Sequence, residues 1–142
     1  MDQLMKGAAM STPLSFFLYS SRLAPDCDPT EVGSIVKVAR EFNASHGITG
    51  ILVFDGERFT QYIEGPASEI DALVAKLRKD CRHTDFLQLN AGDDLEERRY
   101  ATWSMGYSDV SLDELDIDLM ATIDSDAALN LFTKAVAEID RL

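Results

Sequence analysis

The sequence has few cysteines and no long apolar segment, and each shortage excludes a class of protein. Cys27 and Cys81 are the only cysteines in 142 residues, which is too few for a disulfide framework, and no CxxC pair is present that could hold zinc. We interpret them as free thiols, with a single bridge between them as the alternative. No apolar stretch approaches the roughly 20 residues that a membrane span needs. These features predict a cytoplasmic protein that does not enter a membrane.

Basic residues are also scarce. The chain carries 13 lysines and arginines against 25 aspartates and glutamates, which leaves a formal net charge of −12. Proteins that bind nucleic acids or anionic membranes present basic patches, so we expect neither partner. Residues 109–142 hold nine of the acidic and two of the basic residues, and they therefore carry −7 of the net charge. This concentration predicts a C-terminal surface that binds a protein with a basic patch.

Apolar runs and alternating patterns predict five strands. The first run is apolar and aromatic, and it lacks the basic front and the cleavage site of a signal peptide, which favours a strand. The second is almost continuously apolar, as in a strand buried on both faces. Asp55-Gly56 is a hairpin turn signal before a third, alternating strand, and a charged linker over residues 91–99 is expected to face solvent. The predicted strands are residues 14–21, 48–54, 58–64, 86–90 and 100–107.

Two helices are predicted inside this strand pattern. Asp28-Pro29 is a capping residue followed by a proline at the first helical position, and Gly47 is a left-handed stop. Gly65-Pro66 is expected to end the third strand, and Ser68 to cap the second helix. The order β-α-β-β-α-β-β is typical of a ferredoxin-like α+β sandwich with both helices on one sheet face. A C-terminal helical extension follows, with a short helix at residues 112–122 and an apolar-striped helix at residues 125–142 that Ser125 is expected to cap.

Three polar side chains are expected in the apolar layer between the sheet and these two helices. Gln61 shares a strand face with Phe59 and Ile63, so its amide should point into apolar surroundings. Because a buried amide without a partner costs about 1–3 kcal/mol, Gln61 needs either a protein partner or a ligand. Tyr19 on the first strand and Asn43 at the end of the first helix raise the same question. Each alone is more often a satisfied structural group, but the three together favour a ligand site.

The sequence lacks the motifs of common catalytic and metal sites. No GxSxG, HExxH, P-loop or GxGxxG pattern occurs, so we do not expect an enzyme. His46 has no second metal ligand at a suitable spacing and is expected to interact with the last carbonyls of the first helix. A ferredoxin-like acyl-phosphate hydrolase would need an anion-binding loop beside Arg22, where residues 23–26 are acidic and apolar instead.

Five segments of the chain resemble the BLUF family, a blue-light-sensing domain that uses flavin. They occur in the family's order between residue 14 and about residue 110. Tyrosine and asparagine are 24 positions apart in this resemblance, and tyrosine and glutamine are 42 apart. The matching segments are LYSS, FNASHGITGILVF, FTQYIEGP, LRKDCRHTDF and RRYATWSMG.

The resemblance implies a flavin, usually FAD, between the two helices and the sheet; FMN or another flavin is not excluded. It implies that Tyr19 gives an electron and a proton to the excited flavin. Gln61 would bridge Tyr19 and the flavin ring, and its rotated or tautomeric form would be the switched state. The remaining implied roles are ring binding for Asn43, Arg82 and His83, an apolar sandwich of the ring for Ile35 and Leu77, and signal relay or plain packing for Trp103 and Met105.

The leading hypothesis is a short blue-light photoreceptor that acts through a partner protein and forms a homo-oligomer. The expected organisation is an N-terminal tail (1–13), a flavin-binding domain (14–110) and the C-terminal extension (111–142). The apolar stripe of the extension is expected either to fold back on the sheet or to mediate self-association. The alternative is a light-independent module of the same fold that binds flavin or a protein.

Overall fold

The computed structural model describes residues 13–101, 106–108 and 116–137. Seven of its elements form the predicted sandwich, and a short 3-10 helix (Pro29–Glu31) precedes the first α-helix. Cys27 and Cys81 are free thiols. In chain order the elements are β1 (Leu14–Leu23), α1 (Val32–Ser45), β2 (Thr49–Phe54), β3 (Arg58–Pro66), α2 (Ala67–Lys79), β4 (His83–Leu95), β5 (Gly106–Ser108), α3 (Ile117–Met120) and α4 (Ser125–Val136).

The five strands form one sheet in the order β4-β1-β3-β2-β5. The first four are antiparallel to their neighbours, and β5 lies parallel to β2. The order 4-1-3-2 with a helix after β1 and another after β3 confirms the predicted ferredoxin-like α+β fold. β3 lies between β1 and β2, which pair with both of its edges, and its residues from Phe59 to Gly65 are buried. Tyr19 of β1 is paired directly with Gln61 of β3.

Local sequence signals explain most of the turns. Asp28 accepts a hydrogen bond from the Thr30 amide and Pro29 opens the 3-10 turn, as the capping pattern predicts. Gly47 has a φ of 70°, which confirms the left-handed stop after α1. In the β2–β3 hairpin the Asp55 carboxylate accepts hydrogen bonds from the backbone amides of Glu57 and Arg58. Gly56 has a φ of 100°.

Two predicted boundaries around α2 are wrong. β3 does not stop before Gly65-Pro66 but includes both residues, because they pair with Ser15 and Leu14 of β1. Proline is tolerated there at the last position of the strand. Ser68 does not cap α2: the helix begins at Ala67, Pro66 occupies the N-cap position two residues before Ser68, and no side-chain cap bond forms.

The C-terminal half of the sheet also differs from the prediction. β4 is 13 residues long and takes in the first part of the linker that was expected to face solvent. Six of the nine linker residues are exposed, as predicted, whereas Arg98 is half-buried and donates a hydrogen bond to the Gly47 carbonyl at 2.7 Å. β5 is Gly106–Ser108, which overlaps the predicted strand of residues 100–107 only at residues 106 and 107. Tyr100 and Ala101 lie in a turn, and residues 102–105 are outside the described part of the chain.

The C-terminal helices cover the sheet face opposite α1 and α2. The cap of α4 is Asp124, which accepts a bond from the Ala127 amide, so the predicted cap at Ser125 is wrong by one residue. The apolar stripe of α4 lies on the sheet, which confirms the first of the two expected arrangements. No helix in the described ranges is long and apolar enough to span a membrane. The buried cluster on this face contains Leu18, Ile51, Val53, Tyr62, Leu89, Met120, Ala128, Leu129, Phe132 and Val136.

Candidate functional site

A cavity of about 550 Å³ lies between α1, α2 and the sheet. Its volume falls within the range of pockets that bind cofactors and other small molecules. Apolar side chains form most of its wall, and a few polar groups converge on it from the ends of the two helices and from β1 and β3. All seven residues predicted to bind the cofactor line it: Tyr19, Ile35, Asn43, Gln61, Leu77, Arg82 and His83.

Tyr19 and Gln61 form the centre of the polar wall. The Tyr19 hydroxyl donates a hydrogen bond to Gln61 Oε1. The two residues are direct partners in the β1–β3 register, so the sheet itself brings their side chains together. Both are buried, at 3% and 6% exposure. The amide that the sequence predicts in apolar surroundings therefore has a protein partner on one side and the cavity on the other.

Aromatic rings hold the Tyr19 side chain in place. The Phe86 ring stacks on it with a centroid distance of 4.6 Å, and the His83 ring meets it edge-on at 6.1 Å. Burial raises the pKa of the Tyr19 phenol well above its ordinary value, and the negative charge of Asp80 raises it further. Tyr19 is therefore a neutral phenol that carries its proton throughout the physiological pH range.

Asn43 reaches the cavity from the C-terminal end of α1. Its backbone carbonyl accepts bonds from the amides of His46 and Ile48, which fixes this end of the helix before β2 begins. His46 Nδ1 lies 2.7 Å from the Phe42 carbonyl, as predicted for a histidine at a helix end. The Asn43 side chain is 1% exposed and lies in the cavity wall. A buried amide at this position can bind the polar edge of a ligand.

Arg82 and His83 lie at the cavity entrance but are engaged by other protein groups. The Arg82 guanidinium forms an ion pair with Asp80 at 2.6 Å. Hydrogen bonds from Arg82 hold the pKa of the Asp80 carboxyl below its usual range, and the same pair raises the pKa of Arg82. The two ring nitrogens of His83 lie 2.7 Å from Ser21 Oγ and 2.6 Å from the Leu77 carbonyl. The His83 ring is thereby tied to both β1 and α2.

The apolar residues predicted to sandwich a ring come from different helices. Ile35 lies on α1 and Leu77 on α2, and both are half-buried at the cavity surface. Trp103 and Met105, the predicted relay residues, lie outside the described residues. Within the described ranges no group of three potential metal-ligating side chains occurs.

The sequence reasoning missed two residues that line the cavity, Asp80 and Lys76, and one that supports it from behind Tyr19, Phe86. Asp80 is the most important, because its carboxylate orients Arg82 and acts electrostatically on Tyr19. Asp80 lies only two residues before Arg82 in the segment LRKDCRHTDF, and this proximity was the sequence signal that could have identified it. Phe86, which supports the Tyr19 ring, had been interpreted only as a strand residue. Lys76 also lines the cavity, with its ammonium 4.1 Å from the centroid of the Phe42 ring.

The donor and acceptor groups of the cavity fit a flavin. An isoalloxazine ring is a flat, largely apolar body with one polar edge, and the cavity offers apolar helix faces together with two buried amides. Asn43 and Gln61 would bind the polar edge, while Ile35 and Leu77 would contact the ring faces. The flavin would supply blue-light absorption and redox chemistry that protein side chains lack.

Comparisons with known proteins agree with this fit. The sequence profile of the BLUF family, described as sensors of blue light using FAD, matches residues 14–106. The description names a sensor and not a catalyst, as the missing catalytic motifs predict. A solved dark-state structure of BlrB, a BLUF protein, is 30% identical with a TM-score of 0.72, covering 90% of this chain and 98% of that one.

Two curated relatives carry the same kind of domain in longer proteins. The blue light- and temperature-regulated antirepressor BluF of Escherichia coli (strain K12) is 30% identical over 111 residues, which are 78% of this chain and 27% of that protein. The photoactivated adenylate cyclase subunit beta of Euglena gracilis is 30% identical over 99 residues, 69% of this chain and 11% of that protein. This chain thus spans about a quarter or less of the length of these relatives. It belongs to the BLUF family of flavin-binding blue-light sensors.

Proposed function

We propose that the Tyr19–Gln61 pair is the photochemical switch of this blue-light sensor. The observation that carries the proposal is the buried hydrogen bond from the Tyr19 hydroxyl to Gln61 Oε1 at the wall of the cavity. A phenol that is neutral, buried and already bonded to an amide has a defined path for its proton. A side-chain amide also has donor and acceptor ends of nearly the same shape, so it can exchange them without repacking.

The protein side chains act by holding and moving one proton. A bound flavin would supply the absorption of blue light and, when excited, an oxidant that takes up one electron and later returns it. Tyr19 gives up an electron, and its Oη proton moves along the existing bond toward Gln61 Oε1. When Tyr19 recovers both, the Gln61 amide settles in a rotated or tautomeric form with changed hydrogen bonds. The net result is a rearrangement of hydrogen bonds with no change in covalent composition outside the amide.

The other cavity residues are proposed to bind and orient the flavin. Asn43 provides a second buried amide for the polar edge, and Ile35 and Leu77 provide apolar contact. Arg82 is proposed to act from its ion pair with Asp80, which restricts where the guanidinium can reach. His83 is proposed to contribute mainly by supporting Tyr19 and the end of α2, because both of its ring nitrogens face protein oxygens.

The output is proposed to pass through residues 111–142 to a partner protein. The acidic excess at residues 109–142 favours a partner with a basic surface, and the BluF relative is described as an antirepressor, a function exerted on another macromolecule. Trp103 and Met105 are proposed to relay the signal. The domain limits 14–110, homo-oligomer formation and a cytoplasmic location are part of the same proposal.

Absorption spectra recorded before and after blue illumination test the switch. The wild-type protein is expected to be yellow and to show a reversible red shift of the flavin band. Tyr19→Phe and Gln61→Leu should retain bound flavin but lose the shift, because each removes one end of the observed hydrogen bond. Tyr62→Phe is the matched control: it removes a buried hydroxyl from the opposite face of β3 and should retain the shift.

The same spectra separate the proposal from its alternative. A protein that binds flavin but shows no shift in the wild-type form would be a light-independent flavin-binding module. A normal shift in Tyr19→Phe would contradict the assignment of Tyr19 as electron donor. A normal shift in Gln61→Leu would contradict the hydrogen-bond switch itself.

A further inference from the structure

A buried carboxylate lies on the sheet face opposite the flavin cavity. Glu64 is on β3, three residues after Gln61, and its side chain is 0% exposed. Because side chains alternate along a strand, Gln61 and Ile63 face the cavity layer, whereas Tyr62 and Glu64 face α4. A buried carboxylate needs several hydrogen bonds to offset its desolvation.

Four donors satisfy the two oxygens of Glu64. Oε1 accepts from the Tyr62 hydroxyl at 3.1 Å and from the Arg99 amide at 2.8 Å. Oε2 accepts from the Thr49 hydroxyl at 2.9 Å and from the Tyr100 amide at 2.7 Å. One side chain thus joins β2, β3 and residues 98–101, which we name the 98–101 segment.

A second set of contacts fastens the 98–101 segment to the same place. The Arg98 guanidinium donates to Thr49 Oγ1 at 2.9 Å and to the Gly47 carbonyl at 2.7 Å. It also lies 3.4 Å from the Glu64 carbonyl oxygen. The 98–101 segment is therefore bound to the start of β2 and the end of β3 in two ways. The Arg98 side chain supplies one set of bonds, and the backbone amides of Arg99 and Tyr100 supply the other.

The aromatic neighbour of Glu64 continues the contact to the C-terminal helix. The Tyr62 ring meets the Tyr100 ring edge-on at 5.5 Å and stacks on the Phe132 ring of α4 at 6.5 Å. Tyr62 is next to Gln61 in sequence. A displacement of β3 at Gln61 would therefore reach both the 98–101 segment and α4 through groups in direct contact.

We propose that Glu64 is a positioning residue that couples β3 to the 98–101 segment and to α4, so that a change at Gln61 alters the C-terminal part of the protein. The inference rests on the proposed switch at Gln61. Both Glu64 oxygens are fixed by a hydroxyl and a backbone amide, so a shift of β3 moves the two amides with it. The chain continues from the 98–101 segment directly to Trp103 and Met105.

Glu64→Gln tests the coupling with little change in shape. Its amide has one oxygen, so either the Arg99 or the Tyr100 amide meets an NH2 group and loses its acceptor; the hydroxyls of Thr49 and Tyr62 can turn, but a backbone N–H cannot. Hydrogen exchange of the 142-residue chain with flavin bound is measured in the dark and under continuous blue light. We expect exchange at one of the two amides to rise about tenfold or more in both states.

The decisive measurement is the light-minus-dark difference in exchange over α4. The wild type should show such a difference, and Glu64→Gln should lose most of it while retaining the red shift of the flavin band. A residue with a purely structural role would speed exchange equally in dark and light and leave the difference intact, which would overturn the proposal. Glu41→Gln, which removes an exposed carboxylate from α1, is the matched control and should behave as the wild type.

The wild-type protein alone distinguishes a failure of the proposed switch from a failure of the coupling. If the wild type shows no red shift, the proposed switch is wrong. If it shows the red shift but no difference over α4, the switch stands and the coupling is wrong. Should Glu64→Gln fail to fold, Tyr62→Phe removes only one of the four bonds; we expect a full red shift with a reduced difference over α4, and an unreduced difference would overturn the coupling.

Discussion

The two faces of the sheet are buried in different ways. On one face α1 and α2 stand over β1, β2 and β3 and leave a cavity of about 550 Å³. On the other face α4 packs directly on the strands, and Ala128, Phe132 and Ala135 are 0% exposed. Strand β3 contributes to both faces: Gln61 lies on the first, and Tyr62 and Glu64 lie on the second.

This difference indicates how one strand serves two purposes. A face that leaves room for a ligand gains part of its packing from that ligand, whereas a face closed by the chain itself depends on exact side-chain volumes. Alternation along β3 places the two kinds of face one residue apart. Changes in volume, charge and protonation should therefore have different consequences on the two sides.

The largest effect is expected from Phe132→Ala on the α4 face. Truncating a fully buried phenylalanine costs about 3–5 kcal/mol through lost burial and the cavity that remains, and here it also removes the stack on Tyr62. Urea denaturation followed by circular dichroism would measure the loss. Leu119→Ala, at a side chain that is 45% exposed on α3, should change the free energy of unfolding by less than about 0.5 kcal/mol. Equal effects of the two substitutions would contradict the docking of α4.

A pair of Ala→Leu substitutions compares the two faces directly. Ala128→Leu adds volume to a closed layer and should destabilise the flavin-free protein by about 1–3 kcal/mol. Ala39→Leu adds the same atoms to the cavity wall, so the same protein should change by less than about 0.5 kcal/mol. Helix propensity differs little between the two residues. Flavin titration should instead show binding to Ala39→Leu weakened at least tenfold, about 1.4 kcal/mol.

Two results with Ala39→Leu would contradict the expected difference between the two faces. A large loss of stability in flavin-free Ala39→Leu would mean that the cavity is not available space. Unchanged flavin affinity in that variant would mean that the ligand does not occupy this part of the cavity.

Each face of the sheet contains one buried tyrosine whose pKa is raised, and stability at alkaline pH should depend on both. Burial, followed by Asp80, raises the pKa of Tyr19, and burial, followed by Glu64, raises the pKa of Tyr62. Because the folded pKa lies above the ordinary value of 10.0, the unfolded chain loses these protons first. The stabilisation is complete below pH 10 and is lost as the pH rises. Each tyrosine should then lower the free energy of unfolding by about 1.4 kcal/mol per pH unit.

Denaturation of Tyr19→Phe and Tyr62→Phe at about pH 9 and about pH 11 measures this loss. Each variant should lose less stability over that interval than the wild type, since phenylalanine has no proton to release. A wild-type slope in either buried variant would contradict the burial of that phenol.

Much of the fold could be predicted because its signals are local. Apolar alternation, the Asp28-Pro29 cap, the Asp55-Gly56 turn and the left-handed Gly47 each depend on a few neighbouring residues. The errors occurred where a distant partner decided the outcome. Pairing with β1 extends β3 through Gly65-Pro66 and extends β4 past residue 90, and no pattern inside either segment encodes that pairing.

The candidate site was predicted to a similar extent. Family motifs identified seven residues that the structure brings to one cavity, but the partners of those residues were not predictable. The Asp80–Arg82 ion pair, the ring of Phe86 against Tyr19 and the bonds of His83 depend on contacts across elements. The bonds of Glu64 were not predictable either, because the backbone amides that donate to it lie 35 and 36 positions away.

Patterns along the chain were sufficient to predict the order of strands and helices, the acidic character of the C-terminal region and the polar residues at the flavin site. These follow from periodicity, charge and motif spacing, which can be counted along the chain. The tertiary structure alone decided that Tyr19 bonds Gln61 across 42 positions, that α4 closes the second face, and that Glu64 ties β3 to the 98–101 segment. Register and side-chain packing decide these contacts, and both arise only when distant segments bury their surfaces against each other.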